Sequence, residues 1–414
     1  MFPTRSVVAV VAILLACART KADEDCRAEA TEKGSLLIYP TVEIEWNAAG
    51  QVALDTVLQI TNDYPRDVTV QFYFINGDAP VEAVFAGDPP SLVVDPEPGW
   101  NFVDCQFELT RDQTMTWSAA RGSPGGCQPF TVLDPDGRSD PDGLTSRRVV
   151  RGYAMAWAVN ADGEEIRWNH LSGNTTIIDY EQTAAWEHEV FAFAAKSPDH
   201  GLPPDARPGQ LILNGREYDA GYDLLLFEFN ATGSSHRVGG ATVSADSDLT
   251  LLVVEADLRD EHFEPTTTLA VYDIWDMNEH RLSGTQHFVT CWFQRLLSGF
   301  GVPNHFLLSN LHTDRGKARI QGIALEDCTP RVLPASLLGT IRTKLAFSGS
   351  VVGDAATSAI LIGMGCEEAA VLYDTPDSPP QETQAGDSLR MPRERPARLG
   401  ERPKALQKAG PAGR

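Results

Sequence analysis

No two cysteines in this sequence stand in a C-x-x-C spacing, so zinc-ribbon and thioredoxin-like chemistry has no carrier. The H-E-x-x-H pair of metalloproteases is missing too, because Glu187-His188-Glu189 lacks the second histidine. No G-x-S-x-G elbow, Walker loop or G-x-G-x-x-G turn follows a strand, and Gly122-Ser-Pro-Gly-Gly126 beside Cys127 reads as a turn. Basic residues are scarce: 34 Lys and Arg face 57 Asp and Glu, a net charge of −23. Phosphate backbones are held by basic surfaces, so nucleic acid is excluded as a partner. Helical periodicity is almost absent; only Phe293 to Leu297 and Ala335 to Lys344 carry it, and both are expected to be short helices. Beyond the N-terminus no apolar run approaches the ~20 residues of a spanning helix, so no transmembrane span is expected in the mature chain.

What the N-terminus does have is an export pattern. Arg5 precedes an uncharged apolar run from Val7 to Ala18, and Arg19, Lys21, Asp23 and Glu24 end it. A basic start, about a dozen apolar residues and a small-residue exit make a signal peptide, expected over residues 1–22. Two cleavage sites compete. Ala16-Cys17-Ala18 fits the general signal peptidase, whereas Leu14-Leu15-Ala16-Cys17 reads as a lipobox that would leave Cys17 as a lipidated first residue. The expected location is therefore the periplasm, the outer membrane through a lipid anchor, or the extracellular space.

Once Cys17 is lost or lipidated, Cys26, Cys105, Cys127, Cys291, Cys328 and Cys366 remain. Six cysteines in an oxidising compartment allow up to three disulfides. The preferred local pairs are Cys105–Cys127 and Cys291–Cys328, which leaves Cys26 and Cys366 to each other; buried free thiols are the competing reading.

The body reads as strands. Val42, Ile44 and Trp46 alternate with Glu43 and Glu45 before the turn Asn47-Ala-Ala-Gly50. Val68, Val70, Phe72 and Phe74 fall on one face of a strand that ends at Asn76-Gly77. Further strands are expected over residues 56–61, 149–159, 164–169, 175–180, 189–194, 224–229, 249–255, 268–275 and 286–292. Period-two alternation broken by Asn, Gly and Pro turns is the antiparallel-sheet signature, and many short strands point to an all-β sandwich class. A faint repeat, T-x-L-x-[IV]-x-[ND] at Thr56–Asn62 and Thr267–Asp273, supports two sandwiches, over residues 30–200 and 205–370. From Asp374 the chain has few large apolar residues, so residues 374–414 are expected to be a disordered tail. Residues 390–414 hold eight Lys or Arg against two Glu, which leaves the rest of the chain at −29.

Candidate chemistry is sparse. Asp134, Asp136, Asp140 and Asp142 lie in the loop DPDGRSDPDG, where carboxylates at short spacing beside glycines could take Ca2+. Arg138 breaks the EF-hand pattern, and a twice-repeated Pro-Asp-Gly turn accounts for the same residues. His280, His287, His305 and His312 cluster late in the chain without a diagnostic ligand spacing. Trp46, Trp100, Trp117, Trp157, Trp168, Trp186, Trp275 and Trp292 either line a carbohydrate face or fill sandwich cores.

The segment Asp55 to Asp78, DTVLQITNDYPRDVTVQFYFINGD, resembles the paired strands of bacterial immunoglobulin-like exported domains. The body as a whole is similar to functionally uncharacterised bacterial secreted proteins, as in CQPFTVL from Cys127, RWNHLSG from Arg167 and PNHFLL from Pro303. That resemblance implies two immunoglobulin-like antiparallel β-sandwich domains and carries over no catalytic residue. The expectation is a non-catalytic exported protein with a structural or interaction role, its partner an envelope or extracellular protein or glycan. A secreted carbohydrate-binding protein or hydrolase, and a calcium-stabilised module, are the alternatives.

Overall fold

The computed structural model describes residues 29–30, 33–77, 102–122, 147–196, 201–203, 217–222, 224–254, 267–326 and 336–349. It also describes the shorter pieces 85–86, 91–92, 138–139, 211, 213, 215, 329–334, 353–360 and 362–364. The expected signal peptide, the tail from residue 374, Trp100 and the four loop aspartates lie outside the described residues.

The first half runs β1 (Glu29–Ala30), β2 (Leu36–Trp46), β3 (Val52–Asn62), β4 (Val68–Asn76), β5 (Phe85–Ala86), β6 (Ser91–Leu92), β7 (Phe102–Leu109), β8 (Gln113–Ser118), β9 (Arg138–Ser139), β10 (Arg148–Val159), β11 (Leu171–Asp179), β12 (Ala184–Glu189) and β13 (Phe191–Phe193). The second runs β14 (Leu224–Asn230), β15 (Ser235–Val238), β16 (Ala241–Val253), β17 (Thr267–Asp276), β18 (Arg281–Thr290), β19 (Trp292–Leu296), β20 (Arg315–Glu326), β21 (Thr329–Pro334), β22 (Leu337–Gly349), β23 (Gly353–Ile360) and β24 (Ile362–Met364). The chain is all-β and sandwich-like, and the ladders that build its sheets are antiparallel.

The turns form for local reasons. The Asn47 side chain accepts hydrogen bonds from the Ala49 and Gln51 amides, and Gly50 takes φ of 74°, which closes the β2–β3 hairpin. Asn160 does the same for Asp162 and Glu164 after β10. Two leaves split at the β2–β3 hairpin. β3 pairs with β2 only near Val52 and Leu54, and with β8 from Val57 onward. One leaf is therefore β13-β2-β10-β4-β7 and the other β12-β11-β3-β8. Val42, Ile44, Trp46, Val68, Val70, Phe72, Phe74 and Trp117 fill the space between them, so the one-face pattern read in β4 is the core face.

In the second half β18-β17-β20-β14-β24 form one sheet and β15-β16-β22-β23 the other, with β19 beside β16. Its core does not close on itself. Leu36, Ile38, Tyr153, Met155 and Trp157 of the first half belong to the same buried cluster as Leu225, Leu251, Tyr272 and Ile320 of the second. β10 explains how: Tyr153, Met155, Trp157 and Val159 face this shared core, while Ala154, Ala156 and Ala158 face the first sandwich. A strand buried on both faces reads as a continuous apolar run, and its large and small residues sort by face. Trp292 pins the halves together, its indole N–H donating to the Pro40 carbonyl at 3.0 Å. A Cβ at Gly77 would stand 2.2 Å from that ring.

Three sequence expectations are corrected here. Phe293 to Leu297 and Ala335 to Lys344 are chiefly strand, in β19 and β22, because each is paired to β16. Residues 164–169 form no strand; a single bridge joins Val159 and Glu165. The described helices are short: a 3-10 turn at Leu297–Gly299 and an α-helix at Leu308–Leu311, which His312 ends in the left-handed region at φ of 62°.

Candidate functional site

A β-bulge builds the site. Gly152 pairs with Val42 and Ala154 with Tyr39, so Pro40 and Thr41 on β2 oppose Tyr153 alone. The extra residue reverses the alternation. Before it Leu37 and Tyr39 face the first core; after it Val42, Ile44 and Trp46 do. The other face passes from Leu36 and Ile38 in the shared core to Thr41, Glu43 and Glu45. The facing strands change in step. On β22 the order is Leu338, Thr340, Arg342, Lys344, and on β16 the registered partners are Leu252, Thr250, Asp248, Asp246. The seam between the halves thus grades from apolar through threonine to charge, and opens into a cleft of about 1260 Å³.

Its floor is a buried ion cluster. Arg342 donates from one terminal nitrogen to Glu43 Oε2 at 2.9 Å and from Nε to Asp248 Oδ2 at 2.9 Å. All three residues are buried. Lys344 reaches Asp248 Oδ2 at 2.9 Å, and the Gln294 amide donates to Glu43. Arg342 lies 4.9 Å from the centroid of the Trp186 ring. Two residues back along β2 and β22, the Thr41 and Thr340 hydroxyls meet at 3.4 Å. Nearer the mouth Arg147 bridges Glu45 and Glu181.

Burial pushes the Glu43 carboxyl up, but Arg342, the Gln294 amide, Arg151 and Lys344 outweigh it and hold the group at about 2. Arg342 is held above its ordinary range: burial pulls it down, and Glu43 and Asp248 more than reverse that. His188 is lowered to about 4 by burial and by Arg342, against the opposing pull of Glu43. The charges of the cleft floor are therefore fixed, and the His188 imidazole, under the influence of Arg342, is kept neutral near pH 7. General acid–base catalysis wants a group poised near the working pH, and none of these three shifts places one there.

The residues singled out in the sequence are scattered. Asp134, Asp136, Asp140 and Asp142 lie outside the described residues. His280 is exposed, its Nδ1 3.0 Å from Asp276 Oδ2. The His287 ring lies 4.2 Å from that of Phe293, tilted by 44°, and burial with Arg295 lowers it to about 4. His305 is half-buried and His312 exposed. Among the described residues no three His, Cys, Asp or Glu gather as a metal set. Cys105 is disulfide-bonded, while Cys26, Cys127, Cys328 and Cys366 lie outside the described residues. Cys291 overturns its expected pairing with Cys328. It is a free thiol, buried in the shared core with Sγ 3.3 Å from the Tyr153 hydroxyl, and burial raises it to about 12. With Cys17 set aside, five other cysteines remain, so three intrachain disulfides cannot form.

Six of the seven described tryptophans are buried, and Trp275 is half-buried, so they make no exposed aromatic strip. Sequence reasoning missed Glu43, Asp248 and Arg342. The alternation Val42-Glu-Ile-Glu-Trp46 places its glutamates in water if one face is taken as solvent, and nothing in the pattern shows that a second sheet covers that face.

No protein-family model matches the chain, and no curated protein matches it. Among solved structures it is similar to the PBSX exported protein XepA, at 9% identity over 79% of this chain and 87% of that one, with a TM-score of 0.13. It is also similar to the T=1 particles derived from infectious bursal virus, at 9% identity over 87% and 85%, with a TM-score of 0.11. Likenesses at that level carry no argument about fold or function.

Proposed function

We propose that the chain is an exported protein of the cell envelope or extracellular space with a non-catalytic, structural or interaction role. One observation carries the second half of that reading: the deepest cleft charges, Glu43, Asp248 and Arg342, are matched to one another rather than aimed at a reactive position. Export rests on the signal-peptide pattern from Arg5 to Ala18. A purely structural seam and a docking cleft share this geometry, and both lie within the role proposed.

Expression of the full chain in a bacterium, followed by fractionation and intact-mass spectrometry, tests export. The expected product lies outside the cytoplasm and begins at lipidated Cys17 or at Arg19; an uncleaved precursor in the cytosol overturns the reading. The same product, offered a panel of chromogenic glycosides, esters and peptides, is expected to turn over none of them. Turnover abolished by Glu43→Gln would show a catalytic cleft instead.

A further inference from the structure

The outer face of the second sandwich carries a group that the cleft does not use. Asp273 and Trp275 alternate on β17, and Lys317 and Arg319 are their registered partners on β20. On β18 a bulge sets two residues, Ser283 and Gly284, against Asp273 alone. Gly284 takes φ of 103° at this bulge, a conformation that favours glycine. Arg281, on the same strand before the bulge, reaches back to Asp273. Its Nε donates to Asp273 Oδ1 at 2.8 Å, and one terminal nitrogen donates to the same oxygen. Arg319 approaches Oδ2 in the same way, with Nε at 3.1 Å, and lies 5.7 Å from the Trp275 ring centroid.

One mostly buried carboxylate therefore holds two guanidiniums by their Nε edges. The second terminal nitrogen of each, Nη1, has no hydrogen-bond partner among the described residues. The Arg281 side chain is 58% exposed and that of Arg319 38% exposed. Burial pushes the Asp273 carboxyl up, but its bonds to Arg281 and Arg319 hold it below the usual carboxylate range. A guanidinium fixed in plane by a carboxylate and an aromatic ring presents its free edge at little entropic cost, and that edge matches the oxygens of phosphate or carboxylate.

We propose that Arg281, Asp273 and Arg319 form an oxyanion clamp that takes the phosphate or carboxylate groups of an anionic extracellular polymer. The polymer's location rests on the export proposed above; the clamp's chemistry does not. The chain's net charge of −23 repels polyanions as a whole, so binding must come from a local arrangement.

The test is titration of the full mature chain with inorganic polyphosphate and, separately, with polygalacturonate at low salt, followed by calorimetry. At least one is expected to bind, and the tighter of the two identifies the anion. Asp273→Asn separates the clamp from general attraction, because it removes a negative charge yet releases both arginines. The clamp predicts at least tenfold weaker binding for Asp273→Asn and for Arg281→Lys with Arg319→Lys, which keeps charge and loses the fork. Circular dichroism and melting temperature establish that the variants fold; the lysine variant carries the test if Asp273→Asn does not. No binding by either polymer, unchanged binding in the lysine variant, or tighter binding in Asp273→Asn overturns the proposal. Export is read from N-terminal mass, so its failure and the clamp's failure are distinct.

Discussion

His188 and Glu43 sit beside the same guanidinium; burial disfavours the charge of both, and Arg342 keeps the carboxylate charged while it helps to keep the imidazole neutral. The imidazole is kept neutral, with its pKa at about 4, while the carboxyl is kept charged, at about 2. Both shifts have one sign in their effect on stability. Between pH 6.5, the ordinary imidazole value, and about 4, the unfolded chain binds a proton at His188 that the folded chain refuses. Stability is therefore lost as pH falls through that window, and His287, also lowered to about 4, adds to the same loss. Below about 4.5 Glu43 takes over: the unfolded chain protonates first, and what the paired carboxylate contributes disappears as pH falls toward 2. Urea midpoints measured from pH 7 to pH 3 are expected to fall continuously. His188→Gln with His287→Gln is expected to flatten the portion between pH 6.5 and 4 and leave the lower portion. An unchanged upper slope in that double variant would mean that neither imidazole is held neutral.

At the scale of strands, β10 shows what the sequence discloses and what it hides. Its run Arg148–Val159 is legible as a strand because it is apolar and β-rich, and Val68 to Phe74 is legible as a core face because its period is two. The sorting of β10 into large and small faces follows from the same period once both sides are known to be covered. Three other features are not local properties. The bulge at Pro40–Thr41 depends on how β2 meets β10, so the burial of Glu43 could not be read from alternation. β22 carries Leu337, Leu338, Ile341 and Leu345 at spacings that also fit a helix, and pairing to β16 and β23 decides the matter. Proximity in sequence points Cys291 toward Cys328, whereas packing against Tyr153 sets its direction. The small face of β10 makes a prediction of its own. Ala156 pairs with Leu37 on one side and Phe72 on the other, and all three lie in the first core. Ala156→Leu inserts volume where neighbours are already packed, at a cost of about 1–3 kcal/mol. Trp157→Ala, one residue on, empties the shared core instead, at about 3–5 kcal/mol. Urea denaturation of the two variants checks the order: a costlier Ala156→Leu would mean that the two faces are assigned the wrong way round.

The whole body depends on that second face. If each sandwich had its own closed core, the halves would meet at a polar seam and melt independently. Instead Leu36, Ile38, Met155 and Trp157 are buried in one cluster with Leu251, Tyr272 and Ile320, and the Trp292 indole is bonded to the Pro40 carbonyl. Each such large side chain contributes about 1.5–3 kcal/mol by leaving water. Exposing the β2–β10 face by unfolding only the second half would forfeit several of these at once. It would also strand Glu43 without Arg342. Partial unfolding along the seam is therefore costlier than its polar mouth implies, and the two halves are expected to unfold together. Differential scanning calorimetry of the chain should show one transition whose calorimetric and van't Hoff enthalpies agree. Trp292→Ala removes the pin and opens space beside Gly77, so it should lower the melting temperature of the whole transition rather than split it. Two resolved transitions in the unsubstituted protein would mean that the halves hold separate cores. The clamp on the outer sheet would then ride on a unit that folds alone, and the cleft would be a hinge between two bodies rather than the edge of one.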